Sequence, residues 1–294
     1  MLELFQISPM IFIASVFILS LLIGSFLNVV IYRLPIMMEQ EWRTHCKELE
    51  AIPATIIPEG HFNLIIPQSR CPFCGAQITV LQNIPILSYL VLNGKCSSCN
   101  TAISKRYPIV ESLTAILTAI VAWRFGFGWE SAAAMILTWS LIAISAIDID
   151  HHIIPDAISL PLLWIGLSLS LFHPMVDTEV LFIDPKTGII GALAGYLSLW
   201  CIYQLFRMTT GKEGMGYGDF KLLAALGAWL GWQMLPLIIL LSAIVGTAVS
   251  ITMIILHRHD RNLPIPFGPY LATASWIVML YGEQMITSYL DFMS

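Results

Sequence analysis

Apolar runs of membrane-spanning length recur along this chain of 294 residues, and they restrict its fold more than any other feature. An α-helix needs about 20 mostly apolar residues to cross the hydrocarbon core of a bilayer. Eight runs approach or reach that length, at residues 9–32, 108–126, 130–149, 154–173, 187–207, 220–234, 236–256 and 266–289. The sequence therefore predicts an all-α polytopic membrane protein with about eight transmembrane helices.

Two of these runs allow a second interpretation. The sixth is short, and Pro236 separates it from the seventh, so seven spans and one re-entrant segment form an alternative. The first is preceded by Glu3 and by no Lys or Arg, and no small-x-small cleavage site interrupts it. We therefore expect the first run to be a retained transmembrane helix rather than a secretory signal.

The composition agrees with a membrane protein and excludes three other classes. Only 11% of the residues are charged, 57% are hydrophobic, and the mean hydropathy is +0.79. A soluble domain carries about 25% charged residues, so a soluble globular enzyme and a disordered protein are both excluded. The net charge of −5 argues against a nucleic-acid partner.

The basic residues predict how the chain is oriented in the membrane. Twelve of the fourteen Lys and Arg residues fall on or next to one side of an eight-span arrangement, and only Arg124 and Lys186 fall on the other. Cytoplasmic loops carry the excess of basic residues. We therefore expect the 33–107 segment in the cytoplasm and both termini outside.

Residues 33–107 form the one extended polar region of the sequence and contain five of the six cysteines. This composition predicts a small cytoplasmic domain inserted after the first transmembrane helix. The predicted order is a first helix within residues 1–32, the inserted domain at 33–107, and the remaining membrane helices at 108–294.

Four of the cysteines in this region form two Cys-x-x-Cys pairs: Cys71, Cys74, Cys96 and Cys99. Two such pairs supply four thiolates in a tetrahedron, as in a structural zinc site. Gly75 and Asn100 follow the pairs and suit the turns that would close them. Disulfides and free thiols are the alternatives, and disulfides are disfavoured on the cytoplasmic side of a membrane. A closed four-thiolate site would stabilise the domain without performing catalysis.

Acidic residues at the membrane edge are the candidates for chemistry. Asp148, Asp150 and Asp156 lie where the third run ends and the fourth begins, and Asp219 follows three closely spaced glycines before the sixth. Two carboxylates from different helices could meet there as an aspartic protease dyad that shares one proton. They could equally be solvated residues that cap helix N-termini.

Taken together, these motifs resemble the type IV prepilin peptidase family of bifunctional leader peptidases and N-methyltransferases. The resemblance covers nearly the whole chain and includes both cysteine pairs. Its other parts are Gly24–Pro35, Tyr107–Glu111, Asp148–Asp156 and Gly211–Lys221.

The resemblance implies an aspartic endopeptidase in the bacterial inner membrane, with its active site at the cytoplasmic face. Its substrates would be type IV prepilins and the pseudopilins of type II secretion. Asp148 and Asp219 would be the catalytic pair. After cleavage the enzyme would methylate the new amino terminus with S-adenosylmethionine.

Five polar or glycine residues are candidates for the methyl-donor site that the resemblance implies: Asn28, Arg33, Gly94, Lys95 and Glu111. Arg33, Lys95 and Glu111 could instead be charges anchored at the membrane interface. Gly94 could instead be a turn residue.

Two other functions compete with this interpretation. One is an intramembrane aspartic protease without methyltransferase activity, which would need no cysteine domain. The other is a membrane transporter or assembly scaffold with a zinc knuckle, which should carry paired polar residues deep in its spans. Few such residues occur, and most polar residues cluster at the predicted cytoplasmic edge.

Overall fold

The structure is a computed structural model that describes residues 8–50, 62–79, 81–172, 183–255 and 266–293. The chain divides into two compact units, Met1–Phe127 and Gly128–Ser294.

The first unit is built on two long helices that lie against each other, α1 (Pro9–Glu50) and α3 (Arg106–Phe125). A 3-10 turn at Leu81–Asn83 and the short helix α2 (Leu87–Val91) lie between them in sequence. The two long helices approach closely at Gly24, where a Cβ atom would lie 2.7 Å from the Cα atom of Glu111. A glycine is therefore required for this helix packing.

Helix α1 is much longer than the apolar run from which it was predicted. The run ends at Tyr32, but the helix continues through Pro35 to Glu50. Its 42 residues rise by about 63 Å, roughly twice the thickness of the hydrocarbon core. Residues 33–50 therefore begin the predicted cytoplasmic segment as a direct extension of the first membrane helix.

The described residues of the second unit form six helices and a 3-10 turn at Trp232–Met234. The helices are α4 (Trp129–His151), α5 (Asp156–Ser170), α6 (Pro185–Thr210), α7 (Tyr217–Leu230), α8 (Leu235–Ile255) and α9 (Gly268–Met293). Helix α7 packs against α5 and α6, and α9 packs against α4 and α8.

Helix α7 forms the interior of the second unit. Every residue from Leu222 to Leu230 is buried. The indole N–H of Trp229 donates a hydrogen bond to the carbonyl oxygen of Leu162, 2.7 Å away, and its ring fills the space beside Gly166. With 14 residues, α7 rises by only about 21 Å, too short to cross a hydrocarbon core of about 30 Å alone.

Helix α6 meets α7 along a stripe of glycines. A Cβ atom on Gly195 would lie 2.5 Å from the carbonyl oxygen of Leu223, and Gly191 faces Gly227 directly. Small residues let two helices pack backbone against backbone inside a membrane protein. This close packing fixes the position of α7 and of the residues at its beginning.

The structure confirms the predicted all-α class, and the described residues contain isolated β-bridges but no strand. Each of the eight apolar runs contains a helix. Five described helices are long and apolar enough to cross a bilayer, namely α1, α3, α4, α6 and α8 together with the preceding 3-10 turn. Helices α5 and α7 are too short, and polar residues dilute the apolar character of α9. Eight complete spans are therefore not confirmed.

We predict that Gly191→Ala destabilises the second unit, because the added methyl group would collide with the backbone of Gly227. Overpacking of this kind costs about 1–3 kcal/mol, and thermal unfolding of the detergent-solubilised protein measures it. Gly128→Ala is the matched control, because nothing lies within 4 Å of its Cβ position. Equal stability of the two variants would contradict the close packing of α6 against α7 at Gly191.

Candidate active site and cysteine cluster

Asp148 lies in the last turn of α4, three residues before the helix ends at His151. It is buried, with 5% of its surface exposed. Its Oδ2 atom accepts a hydrogen bond of 3.0 Å from the backbone N–H of Gly268, the first residue of α9. The N-terminus of a helix carries partial positive charge, so this contact favours the ionised carboxylate.

The residue at position 268 must be small for this contact to form. A Cβ atom on Gly268 would lie 2.6 Å from Oδ2 of Asp148 and 3.0 Å from Cδ1 of Ile154. The absence of a side chain therefore lets the α9 backbone reach the carboxylate.

Asp219 is the third residue of α7 and is also buried, with 8% of its surface exposed. The glycine before it allows α7 to begin close to Ile154, because a Cβ atom on Gly218 would lie 2.8 Å from Cβ of Ile154. The same isoleucine contacts the Gly268 position. The backbone at Gly218, next to Asp219, and the backbone at Gly268, which binds Asp148, therefore both pack against the side chain of Ile154.

The two carboxyl groups also interact electrostatically. Burial, and then the negative charge of Asp148, raise the pKa of Asp219 to about 7. The N–H of Gly216 has the opposite, smaller effect and lowers this pKa. Near neutral pH Asp219 can therefore carry a proton while the N–H of Gly268 stabilises negative charge on Asp148. Such an unequal pair has one group that can accept a proton and one that can donate it.

Neighbouring acids have different surroundings. Asp150 is exposed, and Asp156 is bound by Lys221, whose Nζ lies 2.7 Å from Oδ2. This ion pair joins the N-terminal parts of α5 and α7. His152 follows the last residue of α4 in a left-handed conformation with φ of 54°, and its N–H donates a hydrogen bond to the carbonyl oxygen of Asp148. These contacts shape the backbone around the buried pair.

The four cysteines of the two Cys-x-x-Cys pairs converge in the first unit. The Sγ atoms of the four cysteines all lie within 4.8 Å of one another. The Sγ atoms of Cys71 and Cys99 are 3.8 Å apart. A tetrahedral zinc site with Zn–S bonds of about 2.3 Å has sulfur–sulfur edges of about 3.8 Å. The donor set and its spacing therefore fit a metal ion.

The two pairs lie on two similar turns. In each, the N–H of the first cysteine bonds the carbonyl oxygen five residues later, and the residue after the second cysteine has positive φ. These positive-φ residues are Gly75 and Asn100, as their positions in the sequence predicted. A β-bridge closes each turn, Arg70 with Gln77 and Lys95 with Ala102. The backbone thus presents both pairs in the same way.

Asn28 and Arg33 are buried on α1 and bind backbone atoms. The side-chain amide of Asn28 donates to the carbonyl oxygen of Tyr107 over 3.2 Å. The guanidinium of Arg33 donates to the carbonyl oxygens of Asn63 and Pro67, at 2.9 Å and 2.6 Å. Both residues therefore fasten other segments of the first unit to α1.

Gly94 and Lys95 lead into the second cysteine turn. Gly94 is buried with φ of 67°, and the ring of Tyr89 occupies the space beside it. Lys95 is exposed. The glycine thus has a structural reason to be there, whereas the lysine side chain is available to a ligand.

Glu111 is buried in α3. Its Oε2 atom accepts a hydrogen bond of 2.9 Å from the N–H of Ile86, and Ser25 also hydrogen-bonds the carboxylate. Ile86 is a β-branched residue with φ of 58°, a strained conformation. Glu111 therefore holds a strained turn against the helices.

Comparisons with known proteins agree with this architecture. Residues 18–125 match the bacterial peptidase A24 N-terminal domain, and residues 135–251 match the type IV leader peptidase family. A protein of Stutzerimonas stutzeri named prepilin leader peptidase/N-methyltransferase is 50% identical over 99% of this chain and 98% of its own length. The chain belongs to the type IV leader peptidase family.

Other relatives of this family carry the same name. The protein of Pseudomonas aeruginosa is 51% identical over 97% of this chain and 95% of its own length. That of Dichelobacter nodosus is 46% identical over 96% of both. No solved structure matches the chain. These relatives confirm the predicted class of enzyme, a peptidase and N-methyltransferase.

The two family matches fall in different structural units. The A24 N-terminal match lies in the unit Met1–Phe127 and contains the four clustered cysteines. The leader peptidase match lies in Gly128–Ser294 and contains both buried aspartates. The separate domain predicted at residues 33–107 stays a prediction.

Several residues around the buried pair were not predicted from the sequence. Gly268 and Ile154 shape the surroundings of Asp148, and Lys221 binds Asp156. The one available signal for Gly268 was its position between Pro266 and Pro269 at the start of an apolar run. Proline is favoured in the first turn of a helix, but no pattern indicated which carboxylate that turn would meet.

We predict that stability depends on pH through Asp219. From about pH 4 to pH 7, the folded protein retains a proton that an unfolded aspartate releases, so stability falls as the pH rises. Asp219→Asn should remove this pH-dependent loss of folding stability, which is on the order of a few kcal/mol. Unfolding in detergent at pH 5 and pH 8 measures it. Parallel pH dependence in wild type and variant would refute this assignment.

Proposed function

We propose that the chain cleaves the leader peptide of type IV prepilins with Asp148 and Asp219 as its catalytic pair. The observation that supports this most is the electrostatic interaction of two buried carboxyl groups, from α4 and α7, that have unequal surroundings. The relatives named above act on prepilins by name. Pseudopilins of type II secretion are a second proposed substrate class.

In the proposed reaction the ionised Asp148 removes a proton from water, whose oxygen attacks the carbonyl carbon of the scissile bond. Asp219 donates its proton to the carbonyl oxygen, which gives a neutral gem-diol. Asp148 then passes its proton to the amide nitrogen while Asp219 recovers a proton from a diol hydroxyl. The C–N bond breaks and both groups return to their starting states.

Methylation of the new amino terminus is the second proposed step, with S-adenosylmethionine as donor. When bound, the donor would supply an electrophilic methyl group to the uncharged amine; the thioether S-adenosylhomocysteine would leave, and the methylated amine would release one proton. We place its binding in the first unit, near Asn28, Arg33, Gly94, Lys95 and Glu111. Lys95 is exposed beside the cysteine cluster, whereas the other four are buried and shape the backbone.

The metal of the cysteine cluster is proposed to be zinc in a structural role. Four thiolates leave no open position on a tetrahedral ion. The cluster ties together the two cysteine turns, which belong to a part of the chain with little helical structure. Zinc would therefore supply stabilisation that this small segment cannot gain from a core.

The proposed location is the inner membrane of a bacterium, with the catalytic pair at the cytoplasmic face. Five candidate membrane helices support an integral membrane protein. The distribution of Lys and Arg supports the orientation.

We predict that Asp148→Asn and Asp219→Asn each lower prepilin cleavage by at least about a hundredfold, since each removes a proton-transfer group. The measurement is the intact mass of a prepilin after incubation with purified enzyme in detergent. Asp150→Asn is the matched control, because Asp150 is exposed on the same helix end. Normal cleavage by either of the first two variants would exclude that residue from the catalytic pair.

We also predict that Cys71→Ser lowers bound zinc and the methylation of cleaved pilin, because it removes one ligand of the cluster in the first unit. Metal analysis gives zinc per chain. Intact mass with S-adenosylmethionine gives the methyl group, about 14 Da. Cys46→Ser is the control, since Cys46 is exposed and outside the cluster. Absence of zinc from freshly purified wild-type protein would overturn the metal assignment.

A further inference from the structure

An exposed apolar segment lies between the two cysteine turns. It comprises residues 84–91 and includes α2. Leu90 and Val91 expose 63% and 79% of their surface, and Leu87 exposes 61%. A cluster of large apolar side chains with this exposure would be costly in water.

This 84–91 segment is attached to α3 inside the apolar run. The N–H of Ile86 bonds Oε2 of Glu111. Glu111 is the sixth residue of α3, which places it about 7.5 Å along the helix from Arg106. The attachment point is therefore on the membrane side of the basic residue at which α3 begins.

Helix α1 gives an independent measure of the same depth. Gly24 lies against the backbone of Glu111. Gly24 precedes Arg33 by nine residues, or about 13 Å along α1, and it lies within the apolar run 9–32. Both helices thus place Glu111, and with it Ile86, further toward the membrane interior than Arg33 and Arg106.

We propose that the 84–91 segment enters the bilayer interface and that Leu87, Leu90 and Val91 contact lipid acyl chains. Phe26 of α1 and Ile109 of α3, in the same stretches of the two helices, are also large, apolar and exposed. The segment is therefore joined to two helices that are long and apolar enough to cross a membrane.

The backbone of the segment is suited to this location. Lipid offers no hydrogen bonds, so irregular backbone entering it needs internal partners. The N–H groups of Ser88, Leu90 and Leu92 bond carbonyl oxygens within the segment, and that of Ile86 bonds Glu111. Pro85 has no N–H and is buried.

Insertion would hold the cysteine cluster at the membrane surface. Cys96 follows Val91 by only five residues, and Lys95 is exposed between them. An exposed lysine at that point can meet the anionic headgroups of the leaflet. This inference concerns lipid contact alone and does not depend on the proposed catalytic residues.

The test places the photo-crosslinking amino acid p-benzoylphenylalanine at Leu90 or, separately, at Val91 of the full chain. Each variant is reconstituted in nanodiscs of phosphatidylethanolamine and phosphatidylglycerol, with and without prepilin, and irradiated. Ile116, exposed in the middle of α3, is the control for lipid contact. Ser98, exposed in the second cysteine turn, is the control for water.

We expect the intact mass to rise by one phospholipid at Leu90, Val91 and Ile116, and no such rise at Ser98. Adduct formation at Ile116 without adducts at Leu90 and Val91 would overturn the proposal. Cross-links from both positions to prepilin, or to another part of the same chain in place of lipid, would overturn it as well.

Discussion

A carboxylate within an apolar helix must receive its hydrogen bonds from the protein, because lipid has no donor to give. Asp148 meets this requirement through the N–H of Gly268, which is 120 residues away in sequence. Glu111 meets it through the N–H of Ile86. In both units a buried acid in a candidate membrane helix thus fixes the position of a distant backbone segment. One contact brings the start of α9 to the proposed catalytic pair, and the other brings the strained turn to α3.

Glycine makes these attachments possible. At Gly268 and Gly218 a side chain would collide with Asp148 or with Ile154, and at Gly24 with the backbone of α3. The α6–α7 contact at Gly191 and Gly227 follows the same principle. The second unit therefore holds Asp219 through backbone-to-backbone packing, which leaves helices little freedom to move apart.

The sequence predicted the features that depend on local pattern. Apolar runs located eight helices, the spacing of cysteines predicted the cluster, and Gly75 and Asn100 were correctly expected to close its turns. The extension of α1 beyond Tyr32 was not predicted, because hydropathy reports where the apolar run ends and not where the helix ends. The role of Gly268 was also missed, since a long-range hydrogen bond leaves no periodic signal. For Glu111 the sequence indicated a charge near the membrane edge, but not its contact with Ile86.

The uninterrupted course of α1 has a mechanical consequence. About 25 Å of helix extends from Arg33 to Glu50 and is continuous with the membrane-embedded part. A helical rod tilts as a whole, and transmembrane helices adjust their tilt to the thickness of the surrounding bilayer. A change of about 10° in tilt would displace the far end of this lever by about 4 Å. Lipid thickness would thereby be converted into lateral movement on the aqueous side of the membrane.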